Sequence, residues 1–367
     1  MLSRVAKIGT LGLGLVAVVS LVGCSGSSSG PDVTGEDLFS SDIIATAPSN
    51  GNSDEWVLWN KDTCSFEPTD DHPDTWSADL RKPNGTFTVG FGAQDTTLEV
   101  NVTMNESMST VSSETGVDLA LADYKFPSTS VPIEAARSLT LREPAVIVSN
   151  NQVDTLLDTV NAIYKDACVP VVQVVTAAEG TILFGPSNPD MGVLEGERLV
   201  EHATENGWTA ENTTLFTTYF SPAGPEVAKR ASECAATVEA AFPGIKKVDH
   251  DTTSTNALEL QNAFTDVLTA NPDAENILVC TIADLWALSD SNALKQANRQ
   301  GNAAVTGVNG GTAVLDDIKA GNTAMVGTVD LGAASWGEYW IPLAEDIASG
   351  KPVPAEVYAP IKMLPEK

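Results

Sequence analysis

Basic residues and histidine are scarce in this chain: 20 Lys and Arg stand against 49 Asp and Glu, the formal charge is −29, and three His occur in 367 residues. So acidic a surface repels nucleic acid and anionic lipid, and neither is expected as a partner. The acids read as a solvated surface and name no ligand. His72, His202 and His250 are scattered and no two Cys have metal-ligand spacing, which argues against a zinc site; no cofactor is implied. Catalytic signatures are missing as well. There is no Gly-x-Ser-x-Gly elbow between a strand and a helix, no His-Glu-x-x-His, and no phosphate loop ending in Gly-Lys-Ser or Gly-Lys-Thr. Adjacent acids such as Asp70-Asp71 and Asp316-Asp317 are what chance supplies in so acidic a chain, so the sequence does not read as an enzyme. Past the N-terminus no apolar run reaches the ~18 residues that a membrane-spanning helix needs.

What the N-terminus does hold is an export signal. Arg4 and Lys7 precede an apolar stretch over 8–22, and Leu21-Val22-Gly23-Cys24 follows, which resembles the bacterial lipobox, whose cysteine is acylated and becomes the new N-terminus. Residues 1–23 are therefore expected to be removed and Cys24 to carry lipid. The Ser, Gly, Pro and acid of 24–36 suit a flexible tether. This predicts an exported, lipid-anchored protein facing the periplasm or the outer surface. Cys64, Cys168, Cys234 and Cys280 remain, an even number in an oxidising compartment, and three pairings into two disulfides are open.

Residues 37–85 differ from the rest. They carry Trp56, Trp59, Cys64 and Trp76 among many Asp, Pro and Asn, with no sustained period, and are expected to form an irregular collar. After residue 85, β-rich runs alternate with helical patterns. Strands are expected at 86–91, 117–122, 145–149, 169–175, 181–185, 214–220, 246–250, 276–280, 303–308 and 325–329, several of them continuously apolar as buried parallel strands are. The clearest helix runs over 225–241, with Pro225 in its first turn and Val227, Ala231, Cys234 and Val238 on one face. A second, 256–270, stops at Asn271-Pro272 and leads into a strand. That β-α-β rhythm predicts an α/β fold of two Rossmann-like, doubly wound lobes with parallel sheets.

The order of segments over about 86–367 resembles the type I periplasmic binding proteins, in particular the ribose-binding-like sugar-binding branch. The stretches that carry the resemblance are Thr86-Phe87-Thr88-Val89-Gly90-Phe91, Val169-Pro170-Val171-Val172, Leu268-Thr269-Ala270-Asn271-Pro272-Asp273-Ala274, Asp284-Leu285-Trp286-Ala287-Leu288, Val305-Thr306-Gly307-Val308-Asn309-Gly310 and Ala320-Gly321-Asn322-Thr323-Ala324-Met325-Val326-Gly327-Thr328-Val329. The resemblance implies three crossings between lobes, with the first lobe at 86–178 plus 331–354 and the second at 179–330 plus 355–367. It favours pairing Cys64 with Cys168 and Cys234 with Cys280, since the latter two then share a lobe. It also implies a monomeric substrate-binding lipoprotein of an ABC importer, taking a sugar or sugar-like solute between the lobes and passing it to a permease. A tethered sensor, or a surface lipoprotein with a degenerate cleft, are the alternative uses. Ligand contacts are expected in loops after strands: Gln94, Asp95, Thr97 and Leu98 after the first, and Asn150, Asn151 and Gln152 after the third. Asn188, Arg230, Asp284, Asn309 and Asp330 complete the set. The aromatic residue that sugar binders place in the first loop is here Leu98, so less stacking surface is expected.

Overall fold

The computed structural model describes residues 38–48 and 50–366. The expected leader 1–23, the expected lipid acceptor Cys24 and the expected tether 24–36 lie outside the described residues. The chain begins with β1 (Phe39–Thr46), β2 (Gly51–Asn52), β3 (Trp56–Asn60), β4 (Ser65–Pro68) and β5 (Asp79–Pro83). Next come β6 (Thr88–Ala93), α1 (Glu99–Thr115), β7 (Asp118–Asp123), α2 (Val131–Thr140), β8 (Val146–Ser149), α3 (Leu157–Asp166), β9 (Val171–Val174) and β10 (Ile182–Gly185). A second series runs α4 (Asn188–Glu205), β11 (Thr213–Phe220), α5 (Gly224–Ala241), β12 (Lys246–Thr252), α6 (Ala257–Ala270), β13 (Asn276–Cys280), α7 (Asp284–Gln296), β14 (Ala303–Asn309), α8 (Thr312–Ala320) and β15 (Met325–Asp330). The chain closes with α9 (Gly337–Ala348), β16 (Val353–Pro354), β17 (Glu356–Tyr358) and β18 (Lys362–Leu364).

Two sheets organise these elements into two lobes. The first has the order β2-β17-β10-β9-β8-β6-β7 and the second β12-β11-β13-β14-β15-β18. Within each, the strands joined by helices pair in parallel, as right-handed crossovers require. Their apolar runs are buried: Val89, Phe91, Val148, Val172 and Phe184 in the first lobe, Leu215, Phe216, Leu278, Val279 and Val305 in the second. Each strand expected from the sequence after residue 85 is present within a few residues of its expected bounds.

The lobe boundary differs from expectation. β10 lies between β9 and β17 in the first sheet, so the chain leaves the first lobe after Gly185 and not at 178. β17 also pairs there, and the last crossing falls between it and β18, the antiparallel edge of the second sheet. The reason is burial: the fully enclosed Ile182 and Phe184 fill the first core, which a four-residue strand does not announce in sequence.

The described part of the stretch 37–85 is not irregular, contrary to expectation. β1 pairs with β5, β3 with β4 and β16, and β2 joins the first sheet beside β17. Trp56 is buried and stacks on His72 at 4.7 Å, while the Trp76 indole donates to Asp346 of α9 at 3.0 Å. Cys64 is bonded to Cys168, which ties this segment to the first lobe, and Cys234 of α5 is bonded to Cys280 of β13. Among the described residues, no helix is long and apolar enough to cross a membrane.

Candidate functional site

The carboxyl ends of both parallel sheets face a common cleft, the place where loops and helix starts converge in open α/β folds. Three of the contacts between the lobes flank it. A Glu99 carboxylate oxygen at the start of α1 accepts from the Thr312 backbone N–H at 2.9 Å and from the Thr312 hydroxyl, at the start of α8. Phe126 and Phe220 approach ring to ring at 5.9 Å. Asp154 packs against Gly224, whose φ of +77° and lack of space suit only glycine: an added Cβ would lie 2.7 Å from the Asp154 side chain.

Between these contacts is a cavity of about 70 Å³, room for about two waters at the ~30 Å³ that each takes in the liquid. Helix α1 gives it Asn101 and Met104, and the loop before α1 gives Gln94 and Leu98. The second lobe contributes Phe220, Arg230, Trp286 and Asn309, and Leu331 lies where the chain crosses back. Packing builds the Arg230 side of this wall. Gly192 and Gly196 let α4 lie close on α5, since a Cβ at Gly192 would sit 2.3 Å from the Arg230 carbonyl oxygen. Asn188, at the start of α4, thereby meets Arg230: the Arg230 Nε donates to Asn188 Oδ1 at 2.8 Å and Nη1 donates to the Ile282 carbonyl at 3.1 Å. Burial pulls the guanidinium down to about 10, against the attraction of Glu195 beneath it. Glu195 is wholly enclosed, and burial holds its carboxyl well above the ordinary range, with Arg230 and the Thr306 hydroxyl opposing.

The structure brings Gln94, Leu98, Gln152, Arg230 and Asn309 of the sequence-expected set to this cavity. Asp95, Thr97, Asn150, Asn151, Asn188, Asp284 and Asp330 are not part of its wall. Asp95 Oδ1 accepts from the Thr97 amide and hydroxyl at 2.5 Å and from the Leu98 amide at 3.0 Å, shaping the turn into α1. Asn150 accepts from the Gln152 side chain at 2.9 Å, and Asn151 Oδ1 accepts from the Val153 amide at 3.2 Å. Asp330 accepts from the Gly332 amide at 2.9 Å. Asp284 accepts from the Gly311 amide at 2.7 Å and from the Thr328 hydroxyl at 2.6 Å, and faces an adjoining hollow shared with Asn309 and Leu98. Burial pushes its carboxyl up to about 7, against those two hydrogen bonds.

Sequence reasoning passed over Asn101, Met104, Phe126, Phe220 and Thr255. A signal for the first existed. Asn101, Met104, Met108 and Val111 repeat at helical spacing and all are buried, so the amide stands at the head of an apolar stripe.

A family model described as a periplasmic binding protein domain matches residues 90–352, which span both sheets and the cavity. The chain belongs to this family. Solved structures share this fold at low identity. An ABC transporter solute-binding protein from Mycobacterium smegmatis with bound glycerol is 23% identical, with a TM-score of 0.65 over 76% of this chain and 94% of that one. A carbohydrate transporter solute-binding protein from Agrobacterium radiobacter in complex with D-arabinose is 19% identical, with a TM-score of 0.68 over 77% and 95%. A third, from Bacillus halodurans with bound myo-inositol, is 17% identical, with a TM-score of 0.64 over 76% and 94%. All three are solute-binding proteins of transporters. No curated protein sequence matches the chain.

Proposed function

We propose that this chain is the solute-capturing subunit of an ABC importer, held at the membrane through lipid on Cys24, and that it closes on a small solute of the sugar and polyol kind for delivery to a permease. The observation that carries this reading is the cavity at the meeting of the two lobes, with hydrogen-bonding side chains on both walls. Gln94 and Gln152 serve from the first lobe, Arg230 and Asn309 from the second. A solute held from both sides favours the shut arrangement, and the permease reads that arrangement from the rims. Asp95, Asn151, Asn188, Asp284 and Asp330 act one step back in this reading, by fixing the loops and the arginine that reach the solute. The bound sugars and polyols of the solved relatives support the choice of solute class.

A thermal-shift screen of the purified protein against pentoses, hexoses, inositols and short polyols tests it. A solute that binds only the folded state adds about 2.7 kcal/mol at a hundred times its Kd, which raises the melting temperature by a few degrees. One chemical group should give that shift, and Arg230→Ala should abolish it. Folded protein that responds to none of these solutes would overturn the proposal.

A further inference from the structure

The wall of the cavity is lopsided in chemistry. Six of its nineteen lining side chains are polar or charged, and two of those are already engaged. Gln152 donates through Nε2 to Asn150, and Arg230 donates through Nε and Nη1 to Asn188 and Ile282. The remaining thirteen are apolar, with Met104, Phe220 and Trp286 the largest surfaces. A densely hydroxylated ring shut in this space would meet too few partners for its oxygens, and each hydroxyl stripped of water without a partner weakens binding.

Asn101 stands out on this wall. It is 1% exposed, and both its side-chain oxygen and its side-chain nitrogen lack a hydrogen-bond partner in the protein. Buried amides are almost always paired, and an orphaned one needs a reason. Here the reason lies in position: Asn101 lies in the first turn of α1, lines the cavity, and heads the stripe of Met104, Met108 and Val111.

We infer that Asn101 is the solute-reading group of the first lobe, and that the solute it reads is short and partly deoxygenated, with a hydrogen-bonding edge against the amide and an apolar body against Met104, Phe220 and Trp286. This rests on the solute-capturing reading above and narrows it. The carboxamide offers one acceptor and two donors side by side, a match for a hydroxyl or carbonyl edge. Arg230 faces from the other lobe and fixes the far oxygen. The cavity's size favours a short solute: about 70 Å³ suits a diol best, and a deoxypentose better than a hexose.

Titration calorimetry on the full-length protein tests this with two matched pairs, D-ribose against 2-deoxy-D-ribose and glycerol against 1,2-propanediol, with D-glucose and myo-inositol alongside. The deoxygenated member of at least one pair should bind several-fold tighter than its partner and tighter than glucose or inositol. Asn101→Leu should weaken that binding about tenfold or more while raising the melting temperature of the ligand-free protein, because the substitution removes two orphaned polar atoms from a buried site. A purely structural asparagine would move the two readouts together. Tighter binding of the fully hydroxylated solutes would overturn this inference and leave the solute-capturing function standing. So would Asn101→Leu and Asn101→Ala proteins that lose stability, fail to fold, or bind as the parent does. No binding by any of the six compounds would overturn both readings.

Discussion

Arg230 illustrates how a single side chain can be both wall and scaffold. Its guanidinium borders the cavity, yet it also supplies the partner of Asn188, the partner of the Ile282 carbonyl and the counter-charge over Glu195. Replacing it with alanine leaves those groups buried without partners. Arg230→Ala should therefore cost about 3 kcal/mol of folding stability in urea titration, beyond any loss of solute binding. A loss under about 1 kcal/mol would show that the network relaxes without it. The places of Gln94 and Asn309 at the cavity were legible because each stands at the end of a strand that meets the cleft, while Arg230, inside α5, was singled out through the family resemblance. Asp95, Asp284 and Asp330 sit in the same loops, but their carboxylates are engaged by neighbouring amide and hydroxyl groups, a choice that position in sequence does not reveal. Asn101 was missed because a polar residue inside a helix reads as solvent-facing until its neighbours are known to be core.

Among the elements, the long parallel strands were readable and the N-terminal ones were not. β11 and β13 are continuous apolar or Thr-rich runs flanked by helices, and that composition alone predicts buried parallel pairing. β2, by contrast, has two residues and pairs with β17, which lies more than three hundred positions later, so nothing local marks it as a strand. The Cys64–Cys168 bond spans 104 residues and holds this segment on the first lobe, helped by Trp76 and Asp346. Closing so long a loop removes much freedom from the unfolded chain. The Cys64→Ser, Cys168→Ser double variant should lose about 2–4 kcal/mol in chemical denaturation. Its effect should be independent of the second disulfide, which sits in the other lobe. A double variant as stable as the parent would mean that the strand pairing suffices.

For the whole molecule, the two-lobed plan followed from the alternation of strands and helices, while the place where the chain changes lobes did not, because β10 and β17 are short and their partners lie in other parts of the chain. The molecule also buries acids. Burial raises Asp284 to about 7 and Glu345 to about 8, and holds Glu195 and Asp290 well above the ordinary carboxylate range. In the unfolded chain these groups titrate near pH 4, so between about pH 4 and 8 the folded form binds more protons, and its stability falls as pH rises. The melting temperature should accordingly decline from pH 5 to pH 8, and Asp284→Asn should flatten part of that decline. A melting temperature that is constant or rising over this window would contradict the assignment. The bridge between Glu99 and Thr312 acts on the same scale in a different way. Both of its partners belong to the chain, so if the lobes open and shut as proposed above, it shifts that equilibrium by itself. Cutting it would lower the fraction of competent molecules and weaken apparent affinity by that fraction, for every solute alike. In the solute-capturing reading, how tightly the protein holds its cargo is thus set partly by a contact that cannot tell one cargo from another.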